Sequence, residues 1–106
     1  MPLDQTYAAL SDPSRRAMLQ RLAQTPELSI SELAAPLPIA LPTVMKHLDV
    51  LSRASLIHRH KTGRTVMISL APQAMAEARA WLERTATFWS ERIDRLATIV
   101  EEQEKR

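Results

Sequence analysis

The chain contains no cysteine. That excludes disulfides, thiolate metal sites and cysteine nucleophiles together, and it says little about compartment. Glycine occurs once, as Gly63, so a glycine-rich phosphate loop is not available. No apolar run approaches the ~18 residues of a membrane span. The N-terminal Met1-Pro2-Leu3-Asp4 lacks the charged-then-apolar pattern of a leader, so a soluble cytoplasmic protein with no membrane partner is expected. The three histidines are His47, His58 and His60, and none stands in a recognised serine–carboxylate motif; no catalytic residue is assigned and an enzyme is not expected. His58 and His60, two apart on a strand, are able to share a metal, but no third ligand of suitable type is evident. Neither a metal site nor any other cofactor is expected.

What is present is a chain of 106 residues with 45% hydrophobic content, enough for a core in one domain spanning 1–106. A domain this small gains stability from association. The net charge of +2 is unevenly placed. Residues 40–70 carry Lys46, Arg53, Arg59, Lys61 and Arg64 against Asp49 alone, whereas the segments before and after are each slightly acidic. A local positive charge of this kind points to a polyanionic partner.

Within that basic stretch, Val44, Leu48 and Leu51 recur at helical spacing and predict the buried face of a helix over 42–53. Pro42, Lys46, Asp49 and Arg53 fall on the opposite face, with Thr43 and Met45 on its flanks. A hairpin follows: a strand from Ile57 to Lys61, a turn at Thr62 and Gly63, and a strand from Arg64 to Leu70 in which Val66, Ile68 and Leu70 alternate. A helix followed by a basic hairpin reads as a winged helix-turn-helix, the helix entering the major groove of double-stranded DNA and the wing (57–70) lying on the flanking backbone or minor groove. The fold class is therefore mainly α with a small β-hairpin, with the DNA-binding core over 11–71.

Upstream, residues 3–10 form a short amphipathic helix. Asp12 and Pro13 supply the cap and first position of a second helix running to about Gln24, with Met18, Leu19, Leu22 and Ala23 inward. Ser29 and Glu32 form a capping box for a short helix that Pro36 must end. Three prolines between Pro36 and Pro42 then make a rigid turn, completing the first helix and turn of the motif. Downstream, no proline or glycine interrupts residues 73–101. Leu82, Trp89, Ile93, Leu96 and Val100 recur there at steps of three, four or seven, and a helix of that length outruns the body. We expect it to pair with a second copy, together with Leu3 and Tyr7 of the N-terminal helix, so that residues 1–10 and 73–101 are long dimerisation helices of a homodimer. Residues 102–106 are expected to fray.

The string Ala9-Leu10-Ser11-Asp12-Pro13-Ser14-Arg15-Arg16, then Leu28-Ser29-Ile30-Ser31-Glu32-Leu33-Ala34, then Pro42-Thr43-Val44-Met45-Lys46-His47-Leu48-Asp49-Val50-Leu51, then Gly63-Arg64, resembles the ArsR-type winged-helix repressors of bacteria. The resemblance covers roughly residues 5–100. It implies a homodimeric transcriptional repressor that binds a partly palindromic operator. Ala40 stands where the family usually has a capping serine, Leu41 and Met45 where it often has glutamine and serine, and Ser55 where it has glycine. Apolar groups at two base-reading positions shift readout toward thymine methyls and DNA shape. The family's metal-sensing cysteines and histidines are not matched.

The candidate DNA contacts are Pro42, Thr43, Met45, Lys46, His47, Asp49, Arg53, Arg59, Lys61, Thr62, Gly63 and Arg64. Lys46 and Thr43 are expected in the major groove, and Lys61 and Arg64 on phosphates or in the minor groove. Asp49 either accepts from cytosine N4 or pairs with Arg53, the pair being favoured. His47, at the edge of the core face, is either structural or a phosphate contact. Arg15 and Arg16 are expected to hold their helix to its neighbours. Trp81, Phe88 and Trp89 suit core or interface packing better than an effector pocket, and the chain names no effector. A second reading is a winged-helix scaffold that docks a protein through the apolar turn at Leu37, Ile39 and Leu41.

Overall fold

A computed structural model describes residues 2–105. Its elements run α1 (Pro2–Leu10), α2 (Pro13–Gln24), β1 (Leu28–Ser29), α3 (Ile30–Ala34), α4 (Leu41–Arg53), β2 (Ile57–Thr62), β3 (Thr65–Leu70) and α5 (Pro72–Glu104). The helix starts follow from local chemistry. The Asp12 carboxylate accepts from the Arg15 backbone N–H at 3.1 Å with Pro13 just inside the helix, which satisfies one of the orphan donors of α2. Ser29 and Glu32 close a reciprocal capping box on α3. Beside it, α4 begins at Ala40 with no side-chain cap.

The core gathers Met18 and Leu22 of α2, Leu33 of α3, Leu48 and Leu51 of α4, and Ile68 of β3, all fully buried. The expected stripe of α4, Val44 with Leu48 and Leu51, is the face that enters it. Ala23 departs from expectation: it is exposed one residue before α2 ends, while its neighbour Leu22 takes the core position in the last turn.

The wing is part of a three-stranded antiparallel sheet of order β1-β3-β2. Leu28 pairs with Ile68 and Ser29 with Met67, a pairing not anticipated from the sequence because two residues carry no periodicity. The hairpin turn sits one residue later than expected, at Gly63 and Arg64, with Thr62 paired to Thr65. Gly63 has φ of 65°. Positive φ at the first turn position alone is the pattern of a type II′ hairpin, and glycine meets it without a Cβ penalty. Arg64 is thereby moved from the strand to the tip.

Helix α5 has 33 residues, roughly 50 Å at ~1.5 Å per residue, and accounts for a molecule 74 Å long and only 27 by 25 Å across. Its first turns pack on the body through Ala74 and Ala78. Tyr7 of α1 meets Trp81 edge-to-face at 5.8 Å and donates its hydroxyl to the Ala78 carbonyl at 3.4 Å. The helix continues past residue 101 through Glu104, so most of the expected frayed tail is helical; Arg106 lies outside the described residues. The N-terminal helix, by contrast, has nine residues. None of the helices among the described residues is long and apolar enough to cross a membrane.

Candidate nucleic-acid interface

Helix α4 presents Pro42, Thr43, Lys46, Asp49 and Arg53 to solvent. Met45 is half-buried and packs against the core, which removes most of it from the exposed face. The C-terminus of α4 is closed by Ser55, at φ 58°. Leu56 N–H donates to Leu51 O and Ser55 N–H to Ser52 O, each at 3.0 Å, the two bonds of a Schellman motif. This ending turns the chain directly into β2 and so fixes the wing relative to the helix.

Asp49 does not pair with Arg53. Its carboxylate accepts from Arg59 Nη2 of β2 at 2.7 Å, and the same guanidinium reaches the Leu48 carbonyl at 3.3 Å. The i+4 partner loses because the strand places a half-buried guanidinium against the helix, with a backbone acceptor as well as the carboxylate. Arg59 thus straps the wing strand to α4. Among the described residues, Lys46, Arg53, Lys61 and Arg64 are exposed and engage no hydrogen-bond or ion-pair partner. Thr62 and Gly63 are exposed beside the wing-tip cations.

His47 faces inward, its side chain 14% exposed. Arg15 Nη1 lies 3.2 Å from His47 Nδ1. Arginine has only donors, so Nδ1 accepts and the proton of the neutral ring sits on Nε2, which points toward Asp12 Oδ2 at 3.8 Å. The Arg15 Nε and Nη2 groups donate to the Ala9 and Ala8 carbonyls at 2.7 and 3.1 Å. His47 is therefore a structural residue joining α4 to the ends of α1 and α2, not a free phosphate contact. The Arg15 backbone N–H, helped by the Ser14 backbone N–H and the Arg15 charge, holds the Asp12 carboxyl below its ordinary value of 3.8 against an opposing desolvation. Arg16 likewise donates to the Leu10 carbonyl at 2.7 Å, as expected of a residue that holds its helix in place.

His60 Nε2 lies 2.6 Å from Glu27 Oε1, and no group of three metal-ligating side chains converges among the described residues. In the proline-rich turn, Leu37 and Ile39 pack against the core and only Leu41, 57% exposed, faces outward. Of the three side chains on which the scaffold reading rests, two are thus largely committed to the core. The dimer candidates divide. Tyr7 is engaged within its own chain and Leu3 is half-buried, while Leu82, Trp89, Ile93, Leu96 and Val100 are at least half exposed. The Arg59 strap and the Arg15–His47 link join residues 10 and 32 apart, and neither has a local sequence signal.

Residues 10–60 match a helix-turn-helix domain family. The chain is 36% identical over 98 residues to the HTH-type transcriptional regulator Rv2034 of Mycobacterium tuberculosis, covering 92% of this chain and 88% of that one. It is 26% identical over 80 residues to the transcriptional repressor SdpR of Bacillus subtilis, covering 76% and 88%. Among solved structures, an ArsR family transcriptional regulator superposes with a TM-score of 0.78 at 36% identity, over 84% of this chain and 91% of the other. The exposed recognition helix, the basic wing and these similarities lead to one assignment: the chain belongs to the ArsR family of helix-turn-helix transcriptional regulators, DNA-binding proteins rather than enzymes.

Proposed function

We propose that the protein is a homodimeric, cytoplasmic repressor whose two α4 helices enter successive major grooves, about 34 Å apart, while the wings lie on the flanking backbone. The observation that carries this reading is the set of four unpaired cations, Lys46 and Arg53 on α4 and Lys61 and Arg64 on the wing. Cations held exposed and unpaired are available to phosphates without first breaking a protein contact. Asp49, already satisfied by Arg59, serves to hold the wing and not to read cytosine. Thr43 and Lys46 read base edges, and repression follows the example of the SdpR relative. Pairing of the two copies through the distal half of α5 supports the two-fold symmetry that a partly palindromic operator requires.

Fluorescence anisotropy with DNA from upstream of the gene and with scrambled DNA, at several salt concentrations, tests this. Arg64→Ala and Lys61→Ala are expected to weaken binding to both DNAs alike. Each should lower the slope of log affinity against log salt by about 0.9 per lost phosphate contact, hence about 1.8 per dimer. Lys46→Ala and Thr43→Ala should instead shrink the preference for the upstream fragment. Equal losses on both DNAs for all four variants would remove α4 from base reading.

A further inference from the structure

Between α2 and the first turns of α5 lies a groove of about 520 Å³ that the DNA-binding surface does not use. Buried Leu19 and Leu56 line it together with Leu70, Ala23, Met75 and Ala80. The space exists because small alanines stand on both helices where larger side chains would fill it. Its size falls in the range of ~300–1,000 Å³ typical of small-molecule sites, which are mostly apolar with few polar groups. The charged groups beside it, Arg79 and Glu83, are bound to each other at 2.9 Å, with side chains 80% and 64% exposed. Gln20 is the remaining polar side chain. No unpaired charge faces the space, so a charged ligand would lose hydration without gaining a counter-ion.

A second copy is not the natural occupant. Relative to the mean direction of the Leu82, Trp89, Ile93 and Leu96 stripe, Arg79 and Glu83 lie roughly 70° and 110° around α5 and Ala80 roughly 170°, at 3.6 residues per turn, while Met75 borders it. Pairing through that stripe leaves the Ala80 and Glu83 side of the groove open. Its lining also meets the DNA-reading parts at one junction. Leu56 N–H closes the end of α4 on Leu51 O, and the Leu56 carbonyl accepts from Ala71 N–H, just before α5, at 2.9 Å. Leu70 ends β3 opposite Ile57.

We propose that this groove binds a neutral, largely apolar small molecule, aromatic or branched, with at most one uncharged polar group for Gln20, and that its occupancy changes DNA affinity. Binding stands independently of the repressor reading; the effect on DNA rests on it. Parting α2 from α5 moves the Leu56–Ala71 junction, and with it the end of α4 and the root of the wing.

The probe is N-phenyl-1-naphthylamine, a neutral apolar fluorophore, titrated into the full chain. Saturable binding of one probe per chain is expected. Ala23→Phe and Ala80→Phe should each weaken it at least roughly tenfold, about 1.4 kcal/mol, while Trp89→Ser, on the exposed stripe, retains it. Circular dichroism establishes that the variants fold, and Ala23, exposed on α2, carries the test should Ala80→Phe not fold. Unchanged binding in the folded filled variants overturns the site. So does loss in Trp89→Ser, which places the probe on the stripe, or loss with rising protein concentration, which makes a second copy the occupant. Operator anisotropy is read separately with and without saturating probe. A shift in wild type that Ala23→Phe abolishes is expected, and operator binding indifferent to the probe overturns the coupling. Absence of operator binding without probe counts against the repressor reading, while the titration still decides the site.

Discussion

Ser55 occupies the left-handed region at φ 58°, at the residue that ends α4 through a Schellman motif. A side chain with a Cβ pays about 1–2 kcal/mol there that glycine does not. Ser55 is exposed, so its hydroxyl adds no packing to offset this. Ser55→Gly is therefore expected to raise stability by about 1 kcal/mol, seen as a higher urea midpoint with an unchanged slope. An equal or lower midpoint would mean that the hydroxyl supplies a compensating interaction. At the same scale, Arg15 shows how one side chain joins elements. Its guanidinium binds the last carbonyls of α1 and the imidazole of α4 together, so the proposed recognition helix is positioned from its inner side, away from the candidate DNA-facing residues.

Among the elements, α4 begins without a side-chain cap, as α5 does at Ala71. Thr43 and Val44 N–H both donate to the Ala40 carbonyl at 3.0 and 3.1 Å, and no side chain caps the turn. The backbone of Ala40 is already extended, at φ −71° and ψ 151°, which is the conformation a capping serine needs. Ala40→Ser should thus stabilise the fold by about 0.5–2 kcal/mol, measured by chemical denaturation. No gain would show that the serine hydroxyl does not reach the helix N–H groups from this backbone. The wing gains its rigidity at both edges of β3, from β1 on one side and β2 on the other. A two-stranded hairpin alone is marginal in water; a third strand and the Arg59 strap hold the wing-tip cations in one place.

For the whole molecule the governing fact is the distal half of α5. Trp89 is 57% exposed and Leu96 62% exposed, with Ile93, Ile99 and Val100 comparably open. A continuous apolar stripe on this scale marks an interaction surface, and it continues the face that Ala74 and Ala78 bury against the body. Leu96→Glu places a charge in that stripe without disturbing the core. Light scattering is expected to find a dimer for the wild type and a monomer for the variant, with unchanged helicity. Operator affinity should fall by at least roughly 10²-fold as the second half-site becomes a separate binding event. A variant that stays dimeric would move the interface elsewhere on the chain.

What the sequence by itself determined is whatever is encoded within one or two helical turns. Asp12 with Pro13, the Ser29–Glu32 box and the prolines after α3 set the ends of helices, because caps and breakers act on backbone groups a few residues away. The Val44, Leu48 and Leu51 periodicity set the buried face of α4, and the cluster of cations over 40–70 set the class of partner. Tertiary structure alone decided the contacts between distant residues. It gave Asp49 to Arg59 instead of Arg53, turned His47 inward to Arg15, engaged Tyr7 with Trp81, and added β1 to the wing. It also opened the groove beside Ala23, a residue whose spacing had suggested core. Those outcomes depend on which surfaces meet when the chain closes on itself. Composition, caps and period carry no record of that.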